Sequence, residues 1–307
     1  MPVLSRAEGE RGIALVAALW FTVAVAGIAS AFSTLAFGEA MRARNLVDAI
    51  RARAVLEAGL EQAVYALQAQ RERPPQPELR VDWTFDGALV VIRVTAESGR
   101  ADLNQADAGL IAALMQEAGA TRDQAQRIGD AVVDWRDGND LRQPNGAEAR
   151  DYRLAGRDDG PANAPFRHVA ELRDVLGVTP ELYARTRELF TVATGAARPR
   201  AELAPEVMRR ALRVVPPQRP TSDDGTPLPD DGRPDEAPTG GATTAGPGGE
   251  AEGWRDPKGL YTVRLDIRLA NGYVAHADAL IWMRPDGPRP YRLLDWEPSP
   301  LRADASS

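Results

Sequence analysis

The densest group of chemically useful side chains is an acidic, glycine-bearing stretch. It runs Asp134-Trp135-Arg136-Asp137-Gly138-Asn139-Asp140, then Pro144-Asn145-Gly146-Ala147-Glu148 and Asp151-Tyr152. Carboxylates this close in sequence repel one another. Two things relieve the repulsion: neighbouring arginines (Arg136, Arg142, Arg150, Arg153), or a hard cation that takes about six to eight oxygens. The spacing is not that of an EF-hand, and both readings stand. Paired carboxylates also serve glycoside hydrolysis, so a secreted or membrane-anchored calcium-dependent hydrolase is a rival reading of the same loop. Cysteine is absent, which excludes disulfides and thiolate chemistry. Only two histidines occur. His276 lies mid-strand without a partner acid at fixed spacing and reads as a packed or surface residue, and His168 opens a helix beside Arg167. No catalytic residue is assigned.

The elements that must hold this loop are spread over 307 residues, a length suggesting roughly two domains. With 44% hydrophobic and 26% charged residues, wholesale disorder is excluded. A net charge of −7 argues against nucleic acid as a main partner. An uncharged run from Ile13 to Gly38 exceeds the roughly 20 residues a membrane helix needs. Beyond it Leu46, Ile50, Leu56, Leu60, Val64 and Leu67 recur at helical steps with charges between them, until Pro74-Pro75. One helix from Ile13 to about Arg71 is predicted, its first half in lipid and its second half on a soluble domain. A signal cut near Ala29-Ser30-Ala31 is the alternative. The arginine balance around the run does not settle its orientation.

Residues 81–96 read as a hairpin turning at Asp86-Gly87. From Ala101 to Thr194 the pattern is helical, in two weakly similar pairs with glycine turns at Gly119 and Gly177 and N-caps at Asp107 and Thr179. These pairs resemble helix–hairpin–helix units. A DNA-uptake function would need cationic turns, yet residues 101–193 carry 16 acids against 11 arginines. A helical domain that packs on protein is the better reading. Residues 204–212 suggest a short helix. Residues 213–253 hold 8 Pro and 8 Gly and are expected to be a disordered acidic linker. Alternation over 260–269, Asn271-Gly272, Tyr273–Met283, Asp286-Gly287 and Tyr291–Trp296 predicts a three-strand meander.

Arg11-Gly12 followed by Ile13-Ala14-Leu15-Val16 resembles a type IV prepilin-type signal. The resemblance implies cleavage after Gly12 by the prepilin peptidase and N-methylation of Ile13. Most members carry glutamate at the fifth mature position, where this chain has Ala17. The Asp-Trp-x-Asp loop, Gly146-Ala147-Glu148, Asn163 and Glu171-Leu172 ahead of Gly177 resemble the type II secretion minor pseudopilin K, the class that lacks that glutamate. This second resemblance implies calcium held by positions matching Asp134, Asp137, Asp140, Glu148 and Asp151. It also implies minor pseudopilins I and J as partners, with H as a further one. The implied placement is single-pass in the inner membrane with the soluble part in the periplasm, at the tip of a pseudopilus, without enzymatic activity.

The fold class so read is α+β. A pilin fold, with a long N-terminal membrane-spanning helix on an antiparallel sheet, carries a large inserted all-α domain with helix–hairpin–helix-like units. The segments are a leader over 1–12, the helix over 13–72 with 13–38 transmembrane, and the first part of the sheet over 73–100. The inserted domain (101–194), a short helical segment (195–212), the linker (213–253), the closing strands (254–300) and a tail (301–307) follow.

Overall fold

In the computed structural model, which describes residues 7–70, 76–215, 259–284 and 289–299, the N-terminal segment is one helix, α1 (Ala7–Ala69). Its 63 residues span on the order of 95 Å at about 1.5 Å each. It begins before Ile13, because Ala7-Glu8-Gly9-Glu10-Arg11-Gly12 contains no proline to stop the backbone. From Val16 onward its large apolar side chains stand exposed, Trp20 at 69% and Phe32 at 73%. Among the described residues it is the one helix long and apolar enough to cross a membrane. Leu46 and Ile50, expected on the packed stripe, are exposed too. Burial begins at Ala52 and continues through Val55, Leu56, Leu60, Ala63, Val64 and Leu67, because only this last part of α1 lies over the sheet.

The hairpin forms as expected from β1 (Glu78–Phe85) and β2 (Ala88–Ala96). Asp86 (φ 49°) and Gly87 (φ 74°) both take the left-handed conformation, which a two-residue I′ turn requires.

The helical stretch opens with a short strand, β3 (Ala101–Asp102), and leads into α2 (Ala108–Glu117) and α3 (Arg122–Arg136). As expected, Asp107 caps α2, its Oδ1 accepting from Leu110 N at 2.6 Å. Next come α4 (Ala149–Leu154), a 3-10 turn over Val169–Asp174 and α5 (Pro180–Thr186). Thr179 caps α5, with Pro180 at its first position. A second 3-10 turn, Arg187–Leu189, runs into β4 (Phe190–Thr191). Strands β3 and β4 pair in parallel, Ala101 with Phe190 and Asp102 with Thr191. The stretch expected to be all-α therefore closes with a two-strand ladder that joins its ends. Helix α6 (Glu206–Val214), which the sequence set apart, buries Met208 and Ala211 in the same core as Leu110, Ile111, Leu114, Met115, Ile128 and Leu172. Arg210 pairs with Glu117 of α2 at 2.8 Å.

The meander is β5 (Leu260–Arg268), β6 (Val274–Met283) and β7 (Tyr291–Ser299). It joins the hairpin through β2 and β5, giving one antiparallel sheet in the order β1-β2-β5-β6-β7. The Asn271-Gly272 turn is present, while the Asp286-Gly287 turn and nearly all of the acidic linker lie outside the described residues. The inward residues of the sheet (Val90, Ile92, Val94, Val263, Leu265, Ile267, Ala277, Ile281) meet the buried stripe of α1 in a first core, separate from that of the helical lobe.

One buried carboxylate joins these bodies, and a second closes the lobe's own ends. Glu97, 2% exposed, accepts from Thr262 Oγ1 of β5 at 2.6 Å, from Arg100 Nη1 at 2.9 Å and from Thr191 Oγ1 of β4. Asp102, 1% exposed, accepts from Gly195 N, Thr194 Oγ1 and Asn104 N.

Candidate metal centre

The last turn of α3 turns Asp134 and Trp135 inward, and α4 begins at Glu148, its N-cap. The loop between them brings both acids under cover. Asp134 is fully buried and Glu148 is 8% exposed. Asp134 Oδ1 accepts from Gln143 N at 3.0 Å. Its Oδ2 and both oxygens of Glu148 are buried without a well-formed hydrogen bond, the nearest backbone donors being Ala147 N for Asp134 and Asp151 N for Glu148. Buried polar groups are almost always satisfied, and Glu97 and Asp102 show this chain satisfying its other buried acids. Trp135, packed against Phe166 (5.8 Å between centroids) and Tyr152 (6.2 Å), floors the site. Tyr152 is itself fully buried, its hydroxyl accepting from Leu176 N at 3.1 Å.

The arginines named in the sequence do not reach this pair. Arg136 donates to the Leu103 and Ala106 carbonyls, Arg142 pairs with Asp151 at 3.3 Å, and Arg150 and Arg153 are exposed on α4. Of the remaining acids, Asp137 is half-buried, its Oδ1 accepting from Asn139 N, and Asp140 is exposed. Asp151 Oδ2 accepts from Glu148 N at 3.0 Å. Among the described residues no three His, Cys, Asp or Glu side chains converge as a metal-binding group. The five expected positions thus divide into a buried pair, Asp134 and Glu148, and three acids around it.

Burial pushes the carboxyl of Asp134 above its ordinary range, with Asp137 and Asp130 adding repulsion. Glu148 is raised the same way, by burial first and then by Asp134, Asp137, Asp140 and Asp151. All five expected positions therefore share one field. Three orphaned, buried carboxylate oxygens fit a hard cation, which favours oxygen donors.

Because both pKa values are raised on folding, the folded chain holds protons that the unfolded chain has released. The pair's own contribution to stability falls as pH rises from the unfolded carboxyl values through the folded ones. In the metal-free chain its penalty, measured as the difference in melting from Asp134→Asn, is accordingly expected to shrink from pH 7 to mildly acidic pH. Calorimetry in a chelator across that range would show it, and a flat difference would contradict the orphaned pair.

Gly146 is the residue that sequence reasoning missed. A Cβ there would lie 1.9 Å from Asp134 Oδ2, so only glycine lets the loop close over the carboxylate. Gly146-Ala147-Glu148 carries the resemblance in the sequence, but nothing there points Gly146 at Asp134.

The other sequence-marked positions are simpler. Gly12 and Ile13 fall within α1, and Ala17 lies on its exposed surface. His276 corrects the sequence reading: it has two partner acids, Asp266 across the strand pair and Asp278 two residues on.

Residues 88–195, from β2 through the ladder, match the family model described as type II secretion system (T2SS), protein K. This stretch, about a third of the chain, is similar to the protein K domain, and it contains the buried carboxylate pair and both helix pairs. The chain also resembles a chain of the GspK-GspI-GspJ complex from the type 2 secretion system of enterotoxigenic Escherichia coli. The TM-score is 0.59 at 14% identity, covering 84% of this chain and 99% of that one. At this identity the likeness is one of fold, and it extends beyond the protein K domain. No curated protein sequence matches the chain.

Proposed function

We propose that this chain is the minor pseudopilin K at the tip of a type II secretion pseudopilus, initiating or capping the assembly that drives export across the outer membrane. The match of residues 88–195 to protein K carries the reading. The solved chain of like fold was captured in a complex with GspI and GspJ, and minor pseudopilins I and J, with H, are the partners proposed here. The family is a structural component of secretion, and the role is assembly rather than catalysis.

In this reading the prepilin peptidase cuts after Gly12 and Ile13 becomes the methylated mature terminus. The apolar part of α1 holds the subunit in the inner membrane, and the sheet and helical lobe face the periplasm. The lobe is an insert of helix–hairpin–helix-like pairs in a pilin fold. Ala17 suits a tip subunit, because an unpaired charge inside the membrane is costly and a tip subunit has no neighbour above to pair with. Asp134 and Glu148 would hold a calcium ion, with Asp137, Asp140 and Asp151 around them. The ion's charge would offset the repulsion between the buried acids and tie α3 to α4.

The test is the mass of the mature amino terminus of chain recovered from membranes, together with co-purification of other pilin-like subunits. N-methyl-Ile13 with such partners is expected. An unmodified terminus at Phe32, or a chain that purifies alone, would sink the reading.

A further inference from the structure

On the sheet face away from α1, half-exposed side chains alternate with the buried ones, and His276 lies near their centre. It lines an open cleft of about 650 Å³ together with Arg93, Arg187, Arg264, Asp266 and Asp278. Both of its ring nitrogens face carboxylates: Nδ1 lies 3.0 Å from Asp266 Oδ1 and Nε2 lies 3.3 Å from Asp278 Oδ2. A neutral imidazole donates from one nitrogen only and turns a lone pair outward from the other. Nδ1 is hydrogen-bonded to Asp266 and Nε2 is in ion-pair range of Asp278, so the two flanking carboxylates favour imidazolium.

The chain of charges continues on both sides. Asp266 pairs with Arg93 of β2 at 2.6 Å, and Asp278 pairs with Arg264 of β5 at 3.0 Å. Arg264 also reaches Glu188 at 2.6 Å, in the 3-10 turn that leads the helical lobe into β4. Arg93 and Arg264 are register partners across β2 and β5, a like-charge opposition that costs stability unless acids separate it. With His276 protonated, three cations meet three carboxylates. Loss of that proton leaves an excess negative charge, and Asp266 and Asp278 have no cation between them. The remaining charged groups are peripheral: Arg187 lining the cleft, Arg80, the β1 partner of Arg93, which pairs with Asp82, Arg268 two residues beyond Asp266, and Glu297, the β7 partner of Asp278.

We propose that His276 is a proton-dependent latch, which holds the sheet to the helical lobe through Asp278, Arg264 and Glu188 while it is charged. Its hydrogen bonds to Asp278 and then Asp266 raise its pKa above the ordinary histidine value despite burial. A group raised on folding stabilises below its unfolded pKa, and that contribution is lost as pH rises through the folded value. The latch is thus closed at about pH 6.5 and below, and opens on the alkaline side.

The chain has only two histidines, which makes the test direct. Imidazole nitrogen resonances of the full chain in detergent, assigned with His168→Gln, should show His276 doubly protonated at about pH 6.5 and titrating above it. Asp266→Asn should lower that midpoint by about one pH unit or more. Hydrogen exchange at residues 187–191, corrected for its intrinsic pH dependence, should accelerate about two- to fivefold as His276 loses its proton, the scale of a half-exposed ion pair. Glu188→Gln should leave exchange there fast at every pH while His276 titrates as before. A midpoint at or below about 6.5 overturns the proposal. So does exchange at 187–191 that ignores both the His276 titration and Glu188→Gln.

Discussion

Calcium is expected to raise the melting temperature of the full chain, and Gly146→Ala to abolish the rise. Binding to the folded state alone at 100 times the dissociation constant contributes about 2.7 kcal/mol. For a lobe of this size that is a rise on the order of 10 °C. The alanine Cβ would fall 1.9 Å from Asp134 Oδ2, so either the carboxylate or the loop must move. Asp134→Asn and Glu148→Gln should also lose the response, but with the opposite effect on the metal-free chain. Each removes a buried, repelling charge, so each should melt above wild type in chelator. Asp140→Asn, at an exposed position, should keep most of the calcium response. Calorimetry on these variants with calcium and with chelator decides the matter. A wild-type chain indifferent to calcium would leave the orphaned oxygens unexplained and remove the site.

The second large effect is expected at the junction of the two bodies. Glu97→Ala leaves the Arg100 guanidinium, whose side chain is only 16% exposed, without its carboxylate. It also removes the acceptor for Thr262 and Thr191. Breaking one side of a buried ion pair costs about 3–5 kcal/mol. Glu97→Gln keeps an acceptor and should lose less. Because Glu97 bonds both β4 of the lobe and β5 of the sheet, unfolding of Glu97→Ala in denaturant should also separate into two transitions. A single transition within about 1 kcal/mol of wild type would show that the ladder and the cores suffice without it.

Much of this architecture was legible because it rests on local chemistry. Asp86-Gly87 dictates a hairpin through backbone sterics, Asp107 and Thr179 cap helices with their own side chains, and alternation over β5 and β6 reports one buried face. What escaped depends on residues far apart in the chain. The β3–β4 ladder joins Ala101 to Phe190 through strands of two residues each, too short for any period to register. Leu46 and Ile50 continue the helical stripe, but no strand lies beneath them. The first helix of the second pair forms as a 3-10 turn, Val169–Asp174. In the acidic loop, composition marked five carboxylates as equals. Only the inward face of α3 and the closure at Gly146 select Asp134 and Glu148 for burial. Of the two acids at His276, Asp278 stands two residues along the strand, while Asp266 is a neighbour only across strands.

The seam between β2 and β5 has a consequence for the order of folding. It pairs Leu89 with Arg268 and Ala96 with Tyr261, so every bond in it spans the whole helical lobe and the segment after it. Closing so long a loop in an unstructured chain is entropically costly and slow. Once the β3–β4 ladder forms, the chain between Ala101 and Thr191 no longer counts toward that loop. The lobe, whose α2–α3 hairpin is local in sequence and whose ladder closes a shorter loop than the β2–β5 seam, is therefore expected to fold first. The sheet beneath α1 completes last, when the final three strands arrive at a β2 edge that has stood open until then.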